Sequence, residues 1–378
     1  MIMQARVCAL SAAVVAPGAK AFQWSLVLGL ALAPMALSAD VGGATTIASG
    51  LANPRGIGFA PNGALYVAEA GRGGPGPCIP SPVFPNPPRC YGETGALTRI
   101  QPDGGLERVV TGLPSLVLGN GTVEGGPVDV SFLGAAPAVV LGIGGDPRTV
   151  RAALPPKAAL LGTMLHATPS GAYKVVADVA AHEVANNPGG GAVDSNPYGV
   201  LAQPGRRIVA DAGGNSIIVV LANGSTQTLA VAGAPGAQTV PTSVAEGPDG
   251  AIYVGQLTGF PFFRGAASVL RISSDGGSIS TFASGFTAIV DITFDTGGAL
   301  YVLEVASGQV QPFPPPNPGL GIGRLKRQCP GASPVVLLDG LTFPSGVAIG
   351  PDGAAYVTNF GTSTSMGEVL RLPVAPCS

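Results

Sequence analysis

Acidic and amide side chains stand at the end of a phrase that the chain repeats, and these residue types could bind a ligand or move a proton. In "PRGIGFAPNGALYVAEAG", which begins at Pro54, two short apolar runs flank a Pro-Asn-Gly turn and the second run ends at Glu69. "PTSVAEGPDGAIYVGQ" and "PSGVAIGPDGAAYVTN" follow the same pattern later in the chain. The equivalent positions are Glu69, Asp211, Gln256, Glu304 and Asn359, and a further copy has Gly142 or Ile143 there.

Two interpretations of these positions are open from the sequence. If the strand ends surround the mouth of a channel, Glu69, Asp211 or Glu304 would act as a general base. Arg55 and Tyr198 open equivalent first strands, so they would add a cation for developing negative charge and a phenol beside it. Alternatively, the polar side chains accept hydrogen bonds from backbone N–H groups of nearby loops. We therefore predict a ligand-binding rim, with the structural role as its alternative: Arg55, Glu69, Tyr198, Asp211, Gln256, Glu304 and Asn359.

The elements that would position these residues repeat along the chain. Six copies of a strand-turn-strand phrase open with "RGIGF", "VDVSF", "YGVLA", "TSVAE", "VDITF" and "SGVAI". A second hairpin, such as "SVLRISSDGGSISTF", follows the first in most copies. Four antiparallel strands that recur about every 45 residues predict an all-β, six-bladed β-propeller. A β-sandwich, the alternative, would not repeat one phrase in order.

The last copy ends after a third strand, "EVLRL", so its fourth strand must come from elsewhere in the chain. "ATTIASGL", residues 44–51, resembles the fourth strands of other copies and precedes the first complete one. Pairing this segment with the last blade would close the ring and leave no long exposed edge. We therefore predict that the N-terminal strand closes the last blade.

Two further acids lie inside first strands. Asp129 in "VDVSF" and Asp291 in "VDITF" stand where other copies have glycine or serine. In a ring of six they would face each other across the channel, where they would share a cation or water network or raise one another's pKa. Each would otherwise accept backbone N–H bonds from the neighbouring blade. Both residues join the predicted ligand-binding set.

The long loops fall on one face of the predicted propeller. The turns within hairpins are tight, whereas the insertions 71–94, 144–160, 181–196, 257–265 and 305–321 connect hairpins or blades. Long loops commonly carry function, so we expect the site on their face. His182, beside Glu183 in one of these loops, is a candidate for proton transfer near neutral pH. "GFPFF" at 259–263, with Tyr91 and Tyr198, would supply aromatic stacking surface.

Composition excludes some classes of function. Lys and Arg number 19 against 21 Asp and Glu, so no basic stripe is present for nucleic acid. Mean hydropathy is +0.42, yet beyond the N-terminus no apolar run approaches the roughly 20 residues of a spanning helix. Residues 1–39 read as a signal peptide with cleavage near Ala39, which predicts a secreted or periplasmic domain over residues 40–378.

Cysteine usage agrees with export. Cys8 would leave with the signal, and an even number of cysteines remains in an oxidising compartment. Cys78 and Cys90 bracket one Pro-rich loop, so we predict a local disulfide there and a second one between Cys329 and Cys377.

The irregular segments resemble a known family. "QLTGFPF", "DSNPYGV" and "NPRGIGFAPNGALYVAEAGRGGPGPCIP" are similar to segments of the ScyD/ScyE family of exported propellers, with repeats of the NHL/SMP-30 kind. Some members of that family lie in clusters for scytonemin, an indole-phenol pigment, and are assigned to its extracytoplasmic assembly. The resemblance implies an exported propeller in secondary metabolism that binds, and could transform, a small aromatic or phenolic metabolite.

Two other functions compete with this one. The gluconolactonase propellers are metal-dependent hydrolases whose ligands commonly precede the glycine of the first strand. Arg55, Tyr198, Thr242 and Ser345 stand at those positions here, so we predict no metal site and no cofactor, and keep Ca²⁺ as the alternative. A non-catalytic propeller could instead dock a protein partner through its stiff Pro-rich inserts.

Overall fold

The computed structural model describes residues 42–82, 87–233, 238–307 and 320–377. The predicted signal peptide lies outside these residues. The described chain is built almost entirely of antiparallel strands, with two α-helices, α1 (Pro147–Ala152) and α2 (Val179–Asn186), and a 3₁₀ helix, Pro156–Leu160. Neither α-helix is long and apolar enough to cross a membrane.

The strands follow one another in hairpins. In chain order they are β1 (Thr45–Leu51), β2 (Pro54–Phe59), β3 (Leu65–Glu69), β4 (Cys78–Ile79), β5 (Arg89–Ile100), β6 (Leu106–Leu118), β7 (Val123–Leu133), β8 (Ala136–Gly142), β9 (Thr163–Ala167), β10 (Tyr173–Asp178), β11 (Pro197–Gln203), β12 (Arg206–Asp211), β13 (Ser216–Leu221), β14 (Thr226–Val231), β15 (Pro241–Glu246), β16 (Ile252–Gln256), β17 (Ala267–Ile272), β18 (Ile279–Phe286), β19 (Ile289–Phe294), β20 (Leu300–Ala306), β21 (Leu320–Gln328), β22 (Val335–Thr342), β23 (Gly346–Ile349), β24 (Ala355–Asn359) and β25 (Gly367–Leu372).

Within the described residues these strands form five sheets. Four sheets have four strands each, in the orders β11-β12-β13-β14, β15-β16-β17-β18, β19-β20-β21-β22 and β1-β25-β24-β23. The fifth has nine strands and runs from β2 through β3, β5, β6, β7, β8 and β9 to β10, with β4 paired to β5. The strands β2, β7, β11, β15, β19 and β23 contact one another in that order, and β23 contacts β2. The first strands therefore surround a central channel, and the all-β propeller arrangement predicted from the sequence is confirmed.

The nine-stranded sheet differs from the separate hairpin units that we expected. β6 and β7 extend past the predicted strand boundaries and pair with each other, with Leu116 opposite Gly125 and Val117 opposite Val123. A tight turn at Gly121, whose N–H donates to the carbonyl of Leu118, connects the two strands. The predicted first strand at Val128 therefore begins five residues earlier, at Val123.

The N-terminal strand has the predicted place. β1 pairs antiparallel with β25, from Thr45 opposite Arg371 to Leu51 opposite Gly367. Leu51 is fully buried in the core between β1 and the neighbouring strands. Closure by residues from opposite ends of the chain leaves β25 paired on both sides, which removes an exposed edge.

Neighbouring sheets are in close contact where a turn glycine of one lies against the outer strand of the sheet before it. The glycine in the turn between a third and a fourth strand has positive φ, and a Cβ there would collide with a carbonyl oxygen of the preceding outer strand. The pairs are Gly104 with Ile47, Gly171 with Val109, Gly224 with Val176, and Gly276 with Leu229. The strands β1, β6, β10 and β14 therefore occupy equivalent outer positions.

Pairs of aromatic rings also join adjacent hairpins, closer to the channel than the glycine contacts. A Phe near the end of a first strand packs against a Tyr in the second strand of the preceding hairpin, with ring centroids about 5 Å apart. The pairs are Phe59 with Tyr356, Phe132 with Tyr66, and Phe294 with Tyr253.

Both predicted disulfides are confirmed. Cys78 on β4 is bonded to Cys90 on β5, which fixes the long loop after β3. Cys329, which follows β21, is bonded to Cys377 near the end of the chain.

Deleting residues 44–51 removes β1 and leaves β25 with an unpaired edge next to an exposed apolar core. We expect the deletion variant to melt well below the wild type and to aggregate, as measured by thermal unfolding and size-exclusion chromatography. Ser49→Ala, at an exposed position of the same strand, is the control and should melt like the wild type. A deletion variant with an unchanged melting temperature would show that β1 does not close the ring.

Candidate functional site

Glu69, the acid that ends the first copy of the repeated phrase, lies inside the protein. Its side chain is 1% exposed. One carboxylate oxygen accepts the backbone N–H of Ala52 at 2.6 Å, and the other accepts the hydroxyl of Thr98. Arg108 on β6 forms an ion pair with this carboxylate, with Nε 3.0 Å from Oε1. Glu69 therefore ties the segment that enters β2 to the strands of its own sheet.

The same arrangement recurs at three further predicted rim positions. Glu304 accepts the N–H of Thr287 at 2.6 Å, Asn359 accepts that of Thr342 at 2.8 Å, and Asp211 accepts that of Asn196 at 2.6 Å. Thr287 and Asn196 lie in segments that lead into a first strand, and Thr342 is the last residue of β22, just before such a segment. We call Glu69, Asp211, Glu304 and Asn359 the strand-end acceptors. Gln256 is buried at the equivalent place in its sheet.

A cavity of about 210 Å³ opens on the face that carries the long loops. We call it the mouth pocket. Its lining residues are Arg55, Ala70, Pro82, Thr122, Val123, Glu124, Gly125, Val128, Gly144, Asn196 and Tyr198. Two residues that the sequence predicted, Arg55 and Tyr198, meet here, whereas the strand-end acceptors and Gln256 do not line this pocket.

Arg55 and Tyr198 form a cation–π pair at this pocket. The guanidinium carbon lies 5.4 Å from the centroid of the Tyr198 ring. Arg55 forms no ion pair and donates no side-chain hydrogen bond to any described residue, and its buried Nε lacks an acceptor. The mouth pocket therefore contains a positive charge that no described acidic side chain neutralises.

Glu124 is the acidic residue of the mouth pocket, and sequence reasoning missed it. Its side chain is only 10% exposed. Ser81 donates its hydroxyl to Oε1 at 2.6 Å, whereas the buried Oε2 has no hydrogen-bond donor among the described residues and forms an ion pair with Arg89, 3.7 Å from its Nε. Burial raises the pKa of Glu124, and the Ser81 hydrogen bond and the Arg89 charge oppose that rise. An isolated acid in the segment "TVEGGP", on the loop-rich face, is the signal that could have identified it.

Arg89 contacts Glu124 and the residues that follow β8. Its buried guanidinium donates to the carbonyl oxygens of Ile143 at 2.8 Å and Gly144 at 2.6 Å. Burial lowers its pKa, while the charges of Glu124 and Asp194 raise it. Arg89 therefore joins β5 to the segment after β8 and places a positive charge behind Glu124.

Asp129 and Asp291 both line the central channel, and their hydrogen bonds are equivalent. Asp129 accepts the N–H groups of Val130 and Val200, each at 2.8 Å. Asp291 accepts those of Ile292 and Val347 in the same pattern, at 2.8 and 2.7 Å. Each carboxylate thus ties its own first strand to the next one around the channel.

The two channel acids also influence each other. Burial raises the pKa of Asp129 to about 7. Burial and the charge of Asp129 together hold the pKa of Asp291 well above its usual range. From the sequence we treated backbone hydrogen bonds and electrostatic repulsion between the two acids as alternatives. The structure contains both.

His182 and Glu183 lie in helix α2, so our prediction of a loop at this place is wrong. Asp178 caps the helix by accepting the N–H of Ala181. His182 is buried, with its ring nitrogens 3.0 Å from the hydroxyl of Thr226 and 2.8 Å from that of Thr228, and burial lowers its pKa. The imidazole therefore packs against β14 and does not line the mouth pocket.

Glu183 belongs to a buried acidic pair with Asp211. Glu183 is 1% exposed, and neither carboxylate oxygen has a well-aligned hydrogen-bond donor among the described residues. Burial and the charge of Asp211 raise the pKa of Glu183 to about 7, and burial raises that of Asp211 to about 6. The pair holds protons at pH values where isolated carboxyl groups are ionised.

The predicted aromatic surface is divided in the structure. Phe263 is 55% exposed and Phe260 is 44% exposed in the loop after β16, and neither is among the residues that line the mouth pocket. Tyr91 is buried, and burial together with Glu93 raises its pKa to about 12. Of the three predicted stacking elements, Tyr198 alone lines the pocket.

The residues present do not fit a gluconolactonase-like metal centre. The described residues contain no group of three or more His, Cys, Asp or Glu side chains arranged to hold an ion. At the positions expected for ligands, Thr242 donates its hydroxyl to the carbonyl of Ile289 and Ser345 donates to that of Pro54. The channel acids already accept two backbone N–H bonds each.

Comparisons with known proteins show a likeness of fold. No protein-family model and no curated protein sequence matches the chain. Its structure is similar to that of a glucose dehydrogenase, with a TM-score of 0.54 and 13% identity over 88% of this chain and 99% of the other. It is also similar to a putative gluconolactonase, with a TM-score of 0.52 and 12% identity over 90% of this chain and 98% of the other. A putative oxidoreductase (glucose dehydrogenase) from Thermus thermophilus gives a TM-score of 0.51 and 14% identity, over 87% and 99% of the two chains.

Replacing Glu69 by Ala tests the role of the strand-end acceptors. The variant leaves the buried N–H of Ala52 and the hydroxyl of Thr98 without their acceptor, so we expect a loss of about 2–3 kcal/mol in the free energy of unfolding. Glu107→Gln, which weakens an exposed ion pair with Arg99 in the same sheet, should cost less than about 1 kcal/mol. Denaturant unfolding measures both, and equal stability of the Glu69→Ala variant and the wild type would contradict the structural role.

The buried pair of Glu183 and Asp211 predicts a pH dependence of stability. The folded protein keeps the proton of Glu183 up to about pH 7, whereas the unfolded chain releases it near pH 4. The contribution of Glu183 to the free energy of unfolding is therefore fully present below about pH 4. It is lost as the pH rises from there to about 7. Glu183→Gln, which cannot ionise, should show a smaller decline in unfolding free energy between pH 5 and pH 8.

Asp103→Asn, at an exposed turn, is the control for this pH experiment and should decline like the wild type. An identical pH slope in the wild type and in Glu183→Gln would show that Glu183 ionises normally in the folded protein.

Proposed function

We propose that the protein binds a small aromatic ligand with an anionic oxygen substituent in the mouth pocket. One observation carries the proposal: the Arg55 guanidinium lies over Tyr198 in a cavity of the loop-rich face and has no described acidic partner. A guanidinium group binds a carboxylate through two parallel hydrogen bonds. The ring of Tyr198 holds the Arg55 guanidinium in one orientation for this contact.

The size and lining of the pocket support a ligand of one or two fused rings. A dry cavity of about 150 Å³ accommodates benzene. The mouth pocket, at about 210 Å³, is therefore large enough for a substituted benzene or an indole-sized ring. Ala70, Pro82, Val123 and Val128 supply apolar surface for the ring in the pocket that Arg55 lines.

We place this binding outside the cytoplasm, in a protein of the ScyD/ScyE kind. Two disulfides are consistent with an oxidising compartment, and the segment before residue 40 has the pattern of a signal peptide. The resemblance to ScyD/ScyE proteins favours a phenolic or indolic metabolite and a role in extracytoplasmic secondary metabolism. Docking of a protein through the Pro-rich inserts, which lie partly outside the described residues, stays a prediction. The Ca²⁺ alternative also stays a prediction, and no ligand group among the described residues supports it.

For the architecture we propose six blades. The nine-stranded sheet contains two runs of four strands, β2-β3-β5-β6 and β7-β8-β9-β10, joined only by the short β6–β7 pairing. Gly171 in the second run lies against β6 of the first run. Gly224 lies against β10 in the same way, and there the two strands belong to separate sheets, so the two runs are arranged like neighbouring blades. A crystal structure with fewer than six separate sheet orientations around the channel would contradict this count.

Calorimetric titration with benzoate tests the proposed binding. Removing the guanidinium in Arg55→Met should weaken benzoate binding at least about 10-fold, the value of a hydrogen-bonded charged contact. Arg72→Met is the matched control, because Arg72 is exposed and does not line the mouth pocket. It should bind benzoate with the wild-type affinity.

Two results would overturn the proposal: no heat of binding for benzoate at millimolar concentrations in the wild type, or equal benzoate affinities in the wild type and Arg55→Met. The melting temperatures of both variants are measured alongside, so that a loss of folding is not mistaken for a loss of binding.

A further inference from the structure

We infer that Asp211 positions one wall of the mouth pocket, and that ionisation of its buried neighbour Glu183 weakens ligand binding there. The inference deepens the proposed function and rests on it, because it concerns the pH range in which the mouth pocket binds its ligand. It assigns a positioning role to Asp211 and a regulatory role to Glu183, two residues that do not line the pocket.

The chain that enters β11 forms one wall of the mouth pocket and is held by Asp211. Asn196 and Tyr198 both line the pocket. Oδ1 of Asp211 accepts the backbone N–H of Asn196 at 2.6 Å, and Oδ2 accepts the hydroxyl of Ser195 at 2.7 Å. The carbonyl of Asn196 in turn accepts the N–H of Ala212, the residue after Asp211. The position of this wall therefore depends on Asp211.

The same wall carries the ring that packs against Arg55. Tyr198 follows Asn196 by two residues, and its ring centroid lies 5.4 Å from the guanidinium carbon of Arg55. Asn196 is also held by Ile143, whose N–H donates to its Oδ1 at 3.2 Å. If Asp211 no longer held the wall in place, binding would have to order it first, and that cost lowers the affinity for a ligand.

Glu183, in helix α2, lies beside Asp211 inside the protein. A Cβ on Gly214 would stand 2.7 Å from Oε2 of Glu183 and 3.3 Å from Cγ of Asp211, so the two carboxyl groups are neighbours. The charged groups that act on Glu183 are Asp211 on β12 and Asp194 in the segment before β11, and no described basic side chain contributes to the pKa of either Glu183 or Asp211. An ionised Glu183 would therefore place a second buried negative charge beside Asp211 with no described cation to offset it.

The direction of the pH effect follows from these contacts. While Glu183 holds its proton, the ionised Asp211 is satisfied by its donors from Ser195, Asn196 and Gly214. Burial and the charge of Asp211 raise the pKa of Glu183 to about 7, so above that pH both acids are charged and repel each other. This repulsion loosens the hydrogen bonds that hold the wall. Ligand binding therefore favours the protonated form of Glu183 and weakens as the pH rises through 7.

Calorimetric titration of benzoate between pH 6 and pH 8.5 tests the inference. Benzoate and Arg55 keep their charges over this range, so a change in affinity comes from other groups. The wild-type affinity should fall over this range at least about 5-fold more than that of Glu183→Gln, which is the lower end of the usual coupling between two sites. Asp103→Asn, at an exposed turn, is the control and should follow the wild type.

Glu124, which lines the mouth pocket, adds a pH dependence of its own. Burial raises its pKa, and its ionisation places a negative charge beside the pocket. Glu124 is present in both the wild type and Glu183→Gln, so the difference between their pH profiles reports the ionisation of Glu183. The melting temperature of each protein is measured at each pH, so that a loss of folding is not mistaken for weaker binding.

Parallel pH profiles of benzoate affinity in the wild type and Glu183→Gln would overturn the inference, and benzoate binding that depends on Arg55 would then leave the proposed function standing. If benzoate does not bind the wild type at any of these pH values, the proposed function fails and the inference fails with it.

Should Glu183→Gln not fold, proton uptake decides the question. Glu124→Gln, which removes the contribution of the pocket acid, is titrated with benzoate at pH 7 in two buffers that differ in their heat of ionisation. Uptake of protons on binding would support the inference, because a ligand that favours the protonated form of Glu183 raises the fraction of it that holds a proton. Binding without proton uptake would overturn it.

Discussion

The hydrogen bonds that the strand-end acceptors receive from backbone N–H groups are the interactions on which the propeller depends. At these joints the chain passes from an outer strand, or from helix α2, into the next first strand, and N–H groups at the joint point to a buried side-chain acceptor. A buried N–H without an acceptor is costly. Glu69, Asp211, Glu304 and Asn359 supply the acceptor at four of the joints, and basic side chains of the same sheet compensate the charge of Glu69 and Glu304.

This constraint explains why the most chemically suggestive residues of the sequence lie away from the mouth pocket. Acidic and amide side chains at the ends of five second strands resemble a catalytic rim when only spacing is known. In the structure the oxygens of Glu69 and Asp211 are occupied by protein donors. Among the residues that line the mouth pocket, Arg55 is the basic residue that forms no described ion pair, and its Nε has no described acceptor. Unsatisfied polar atoms beside a cavity therefore indicate the site better than residue type does.

The sequence predicted the features that depend on local repetition. Hairpin turns with glycine, alternating strands and the similarity of "ATTIASGL" to other fourth strands were sufficient for the propeller arrangement and the closing strand. Both disulfides followed from cysteine spacing, because Cys78 and Cys90 bracket one loop and leave Cys329 with Cys377. Arg55 and Tyr198 could be placed on one face because they occupy equivalent positions at the start of first strands.

Features that depend on distant contacts could not be predicted in this way. The pairing of β6 with β7 requires both strands to pass their pattern boundaries, which only the packing of neighbouring units allows. Helix α2 is eight residues long, too short for its periodicity to distinguish it from a loop. Glu124 is buried because Ser81 and Arg89, 43 and 35 positions earlier in the chain, pack against it, and no local pattern records those contacts.

The central claim is that the mouth pocket, and not the strand-end acceptors or the channel acids, is where a ligand binds. A crystal structure of the protein with 4-bromobenzoate tests this most directly, because the anomalous signal of bromine locates the ring without reference to the refined side chains. The account predicts one bromine peak in the mouth pocket, with the carboxylate within hydrogen-bond distance of Arg55. A peak in the channel beside Asp129 and Asp291, or at the exposed loop of Phe260 and Phe263 with the mouth pocket empty, would contradict it.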